Sequence, residues 1–82
     1  MRDVYIYLPT IDRVQRFVSA LTKLDGDFEL IRDQYILDAR SLMGIFNLDL
    51  SSPVLLRVYN DNAENMAAIA PYVSGGEENN NG

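Results

Sequence analysis

Apolar and polar positions alternate from Val4 to Leu8, with Val4, Ile6 and Leu8 on one side and Tyr5 and Tyr7 on the other. That period of two predicts a half-buried strand. Pro9 stops it, and the period changes. Ile11, Val14, Phe17, Val18, Leu21 and Leu24 follow the spacing of one helical face, with Thr10 standing where an N-cap is wanted. Leu24-Asp25-Gly26-Asp27 is expected to end this helix, Gly26 taking the left-handed cap conformation. Phe28–Arg32 and Tyr35–Asp38 return to a strand pattern, and Asp33-Gln34 between them makes a two-residue hairpin link. A short helix over 42–48 follows, with Ser41 at its N-cap, then a Ser51-Ser52-Pro53 turn and a fourth strand over Val54–Tyr59. Asn60-Asp61-Asn62 opens the last helix, where Asp61 and Glu64 have capping-box spacing. Met66, Ile69, Ala70 and Val73 supply its apolar stripe. Pro71 removes a backbone donor and restrains Ala70, so this helix should be short or distorted at its end.

The predicted order is βαββαβα. Hairpin-linked strands favour an antiparallel sheet, and three amphipathic helices need one face of it to cover, which gives an α+β two-layer sandwich. Residues 1–73 form the domain, and the Gly/Asn-rich segment 74–82 has nothing to bury and is expected to be a disordered tail.

Composition narrows the chemistry. At 82 residues and 48% apolar content, the chain makes one small domain. It contains neither cysteine nor histidine, so disulfides and thiolate or imidazole metal sites are ruled out, and no cofactor is expected. Without those residues no nucleophile–base pair can be assembled. The pairs Asp25/Asp27 and Asp61/Glu64 lie at helix ends where capping explains them, so an enzyme is not expected. A net charge of −5 argues against nucleic acid, which needs a concentrated basic face. No apolar run approaches the ~18 residues of a membrane span. Met1-Arg2-Asp3 leads straight into a strand pattern without an apolar signal core, so a cytoplasmic location is expected.

Arg40-Ser41-Leu42-Met43-Gly44 is similar to the basic-Ser-aliphatic-Met-Gly signature around the regulatory serine of HPr, the phosphocarrier of the bacterial sugar phosphotransferase system. Phe17-Val18 and the acidic, Asn-rich entry to the last helix also fit, and the resemblance covers about residues 3 to 73. It implies an HPr-like open-faced sandwich, with a four-stranded antiparallel sheet and three helices on one face. Matched without gaps backward from Ser41, the family's active-site histidine falls on Thr10. The arginine after it falls on Asp12 and the following proline on Arg13. A phosphocarrier needs a nucleophile that is basic near neutral pH and remains a good phosphate donor, which imidazole provides and threonine does not. Phosphohistidine carriage is excluded because the chain has no histidine.

Ser41 is the remaining candidate phosphate site. Its plain role is to cap the following helix through Met43 or Gly44 N–H; the resemblance adds phosphorylation by an ATP-dependent HPr kinase, and the two are compatible. Leu42, Met43 and Phe46 correspond to the apolar patch through which HPr proteins meet partners, while Ile45 and Leu48 are expected to face the core. The family commonly has a glycine after this helix where the chain has Asp49. Tyr5, Tyr7 and Tyr59, joined by Leu55 and Ile31, fall on the sheet face away from the helices, either as ordinary cross-strand pairs or as a second interface. The expectation is therefore a regulatory or protein-interaction module, monomeric or weakly dimeric, whose partners include an HPr kinase, a transcriptional regulator or a metabolic enzyme. The alternative is a diverged HPr domain with a structural or self-association role through its tyrosine face.

Overall fold

The hydrophobic pattern closes into a sheet with one covered face. The computed structural model describes residues 1–74. Its elements are β1 (Arg2–Ile6), α1 (Ile11–Leu21), β2 (Phe28–Arg32), β3 (Tyr35–Asp38), α2 (Leu42–Phe46), β4 (Val54–Val58) and α3 (Ala63–Ile69), followed by a 3-10 turn at Ala70–Tyr72. The four strands lie in the order β1-β4-β2-β3, all antiparallel, an α+β arrangement consistent with HPr-like topology. Val4, Leu56, Leu30 and Leu37 pair in register across it, and their side of the sheet meets Val14, Phe17 and Leu21 of α1, Ile45 of α2 and Ile69 of α3 in one core.

The hairpin β2–β3 has the expected two-residue link, with Asp33 at φ 55. Other boundaries differ from the sequence expectation. The first strand runs from Arg2 to Ile6 rather than over 4–8, and Leu8 remains fully buried beyond its end. Helix α1 stops at Leu21, capped by Thr22, whose hydroxyl donates to Ser19 O at 2.7 Å. Gly26 does take positive φ, 96°, but in the loop before β2, where an added methyl would lie 2.9 Å from Asn60 Cβ. Ile11 belongs to the periodic stripe yet is 66% exposed, because it sits at the first turn of α1, beyond the sheet's cover.

Helix α3 is capped by Asn62, whose side chain accepts from Asn65 N–H at 2.8 Å, and not by Asp61. Asp61 instead faces the N-terminal ammonium and Arg2 Nε, at 3.8 and 3.7 Å. The shift follows from Asn65, a fully buried polar side chain that donates to Asp25 O and Asn60 O at 2.9 and 2.8 Å and fixes the register of the helix entry. Ala70 is exposed rather than part of the stripe, because Pro71 converts the helix end to the 3-10 turn. After that turn, Tyr7 N–H donates to Tyr72 O and Ser74 N–H to Tyr5 O, so Val73–Ser74 lies along the free edge of β1. The ordered chain therefore extends one residue past the expected boundary at 73, because Ser74 bonds to β1; the rest of the expected tail, 75–82, lies outside the described residues. No helix among the described residues is long and apolar enough to cross a membrane.

Candidate functional site

The turn into α2 is built by Asp38. Its Oδ1 accepts Arg40 N–H at 2.8 Å and its carbonyl accepts Ser41 N–H at 2.9 Å, while buried Ala39 donates to Phe28 O. This leaves Ser41 extended (φ −85°, ψ 92°) with its Oγ accepting Gly44 N–H at 3.3 Å, the N-cap geometry expected. Gly44 is required for it. A methyl group there would lie 2.9 Å from Ser41 Oγ and 3.3 Å from Leu37 Cδ1. The hydroxyl belongs to an exposed residue. The helix is shorter than expected, 42–46 rather than 42–48. Asn47 caps it in a right-handed conformation, so no glycine is needed after it. Asp49 turns instead onto Ser51, accepting its N–H at 3.0 Å and its hydroxyl at 2.6 Å. Those bonds hold its carboxyl below the ordinary range.

Arg40 does not face Ser41's surroundings as a free cation. Its guanidinium donates to Leu21 O, Leu24 O and Gly26 O at 3.1, 2.9 and 2.9 Å and lies over the Phe28 ring at 5.0 Å. It closes the carbonyl of Leu21, the last residue of α1, together with those of Leu24 and Gly26 in the loop that follows. Of the three apolar residues in the expected patch, Met43 is 75% exposed and Phe46 39%, whereas Leu42 is half-buried and packs on the core. Ile45 and Leu48 face the core as expected, Ile45 completely buried and Leu48 partly.

Thr10 caps α1, accepting Arg13 N–H at 3.1 Å. Asp12 pairs with Arg16 at 2.7 Å along the helix surface. Arg13 lies over the Tyr72 ring at 5.1 Å and donates to Tyr7 O and Pro71 O, tying the end of β1 to the 3-10 turn. The hydroxyl at the position matched to the family's histidine is thus a helix cap, beside a carboxylate that would repel an incoming phosphate.

The other sheet face carries two parallel rows. Tyr5, Leu55, Ile31 and Ile36 stand opposite one another across all four strands. Two residues along, Asp3, Arg57, Glu29 and Asp38 form a second row. Arg57 holds Asp3 in a bidentate pair, Nε to Oδ1 at 2.9 Å and Nη2 to Oδ2 at 3.0 Å. That pairing keeps the Asp3 carboxyl below its ordinary value and raises Arg57. Tyr59 donates its hydroxyl to Glu29 Oε1 at 2.7 Å, which pushes its own ionisation above the usual tyrosine value. Tyr5, Tyr7 and Tyr59 are all exposed, as the sequence placed them. Ile36 was missed although it is 62% exposed; its signal was the hairpin register that sets it against Ile31.

No group of three or more acidic, histidine or cysteine side chains among the described residues is arranged to hold a metal ion. Comparison with protein-family models, curated proteins and solved structures gives no match to this chain.

Proposed function

We propose that this chain is an HPr-like regulatory module without carrier chemistry, in which Ser41 is a phosphorylation switch and Met43 and Phe46 form the docking patch. One observation carries the reading. An exposed hydroxyl and an exposed methionine lie two residues apart at the start of α2, with a glycine where the capping contact needs one. A phosphate on Ser41 adds a charge of about −1.5 to −2 within a turn of Met43. A partner that reads an apolar patch in one state would then need a cation beside its apolar pocket in the other. The backbone order consistent with HPr-like topology supports the same reading.

The test is to incubate the full chain with an HPr kinase and ATP, beside a histidine-bearing HPr as control, and to locate phosphate by peptide mass spectrometry. Phosphate on Ser41, lost in Ser41→Ala, is expected. An unlabelled chain beside a labelled control removes the switch.

A further inference from the structure

The outer face of the sheet presents an apolar row beside an acid-rich row, on the side away from α2. Tyr5 is 57% exposed, and Ile36, Tyr7 and Tyr59 are exposed with it, while Leu55 and Ile31 between them are half-buried. Clustered exposed apolar side chains mark a contact surface. Two quantities say what covers this one.

The first is size. Four strands about 4.8 Å apart and five residues long span roughly 19 by 17 Å, on the order of 300 Å². A standard stable interface buries about 800 Å² per partner. The face falls well below that size, so it fits a weak or transient contact, and its width suits a single helix about 10 Å across. The second is charge. The flanking row holds three carboxylates, Asp3, Glu29 and Asp38, against one guanidinium, which is already taken by Asp3. A second copy would bring three more carboxylates and its own net charge of −5.

We propose that the outer sheet face docks a basic amphipathic helix of another protein. Its aliphatic stripe would cover Tyr5, Leu55, Ile31 and Ile36, and Lys or Arg along one flank would meet Glu29 and Asp38. Docking adds a second helical layer and completes the sandwich on both sides. It is independent of Ser41 and survives if the switch fails.

The probe is a fluorescein-labelled amphipathic Leu/Lys peptide of about 18 residues, long enough to hold a helix in water. It is compared with a Leu/Glu peptide of the same pattern and a scrambled Leu/Lys peptide, by anisotropy against the full chain near physiological salt. Binding is mapped on the unmodified protein by amide NMR shifts. The Leu/Lys peptide is expected to bind at least tenfold tighter than either control and to shift Tyr5, Ile31, Ile36 and Leu55, not 42–46. Ile36→Lys, on an exposed edge position, is expected to weaken it at least tenfold with an unchanged melting curve. No binding, equal binding of the scrambled peptide, or shifts mapping elsewhere would overturn the proposal. So would a concentration-dependent dimer abolished by Ile36→Lys, which would make a second copy the occupant.

Discussion

Arg40→Ala is expected to destabilise the domain by about 3 kcal/mol, with the loss coming from the end of α1 and the loop after it rather than from α2, which residue 40 precedes in sequence. The guanidinium bonds to Leu21 O and Leu24 O are part-buried, and the one to Gly26 O is exposed. A hydrogen bond to a charged group nets about 1.5–3 kcal/mol in general. Water can reach the freed carbonyls in part, so about 1 kcal/mol for each part-buried bond is the appropriate scale here. Loss of the cation over the Phe28 ring, at 5.0 Å, removes about 0.5–1 kcal/mol more. A domain of this size has a small reserve by the usual range of about 0.05–0.15 kcal/mol per residue, roughly 4–12 kcal/mol in all, so the loss is a large fraction of it. Urea unfolding followed by far-UV circular dichroism measures it. With a slope of about 1 kcal/mol per molar, the midpoint should fall by about 2–3 M, and Arg40→Lys should fall between. An Arg40→Ala midpoint within about 0.5 M of the parent at equal slope refutes the clamp. Initial rates of Ser41 phosphorylation, taken where both proteins are folded, supply a second readout. A clamp leaves them unchanged; lost phosphorylation at unchanged stability would make Arg40 a recognition residue.

Gly44→Ala ordinarily gains about 0.5–1 kcal/mol in a helix, but here it should cost about 1 kcal/mol by forcing Ser41 Oγ from its cap. Ser41→Ala/Gly44→Ala should recover stability relative to Gly44→Ala alone, read from urea midpoints; an additive double variant would contradict the steric account. Asp3 has a depressed carboxyl pKa, so its stabilising effect is complete above the unfolded value of about 3.9 and is lost as pH falls through the lower folded value. The stability difference between the parent and Asp3→Asn should therefore be constant from about pH 5 to about pH 7 and shrink below about pH 4; a difference that grows on acidification would show that the Arg57 pair does not govern it.

Much of the fold was legible because local signals agreed with the tertiary outcome. Strands β2 and β3 match their expected bounds because period-two alternation flanks a two-residue link, which leaves only one register that buries Leu30 and Leu37 together. Thr10 and Ser41 were legible as caps because each precedes an apolar period with a polar oxygen. The end of α1 was not. The carbonyl of Leu21 and those of Leu24 and Gly26 in the loop after it are met by Arg40, 14 to 19 residues away in sequence. Gly26, read as the cap, serves a close approach to Asn60 instead. The entry to α3 was misread for a similar reason. Asp61 and Asn62 are both good caps locally, and the choice is made by Asn65, which reaches two carbonyls from outside its own helix turn. A buried asparagine among apolar positions carries no local mark of that role.

The distribution of positive charge bears on both proposed surfaces. Each of the six arginines already has an acceptor. Arg13, Arg32 and Arg40 donate to backbone carbonyls, and Arg2, Arg16 and Arg57 lie against Asp61, Asp12 and Asp3. Lys23 is the one remaining basic side chain of the seven, and it stands beyond the end of α1. The basic residue beside Ser41 is held by three carbonyls, so a phosphate on that serine would gain its cations from whatever docks against Met43 and Phe46. The outer sheet face has the same requirement, because Arg57 is taken up by Asp3 and leaves Glu29 and Asp38 without a cation. Both proposed surfaces would therefore present apolar side chains beside uncompensated negative charge, the sheet face permanently and the α2 patch only if Ser41 carries a phosphate. A partner with apolar and basic side chains interleaved would bind the sheet face at all times and the α2 patch more strongly once Ser41 is modified. Salt separates the two modes: binding at the sheet face should weaken with ionic strength regardless of phosphorylation, whereas binding at α2 should acquire that dependence only with the phosphate in place.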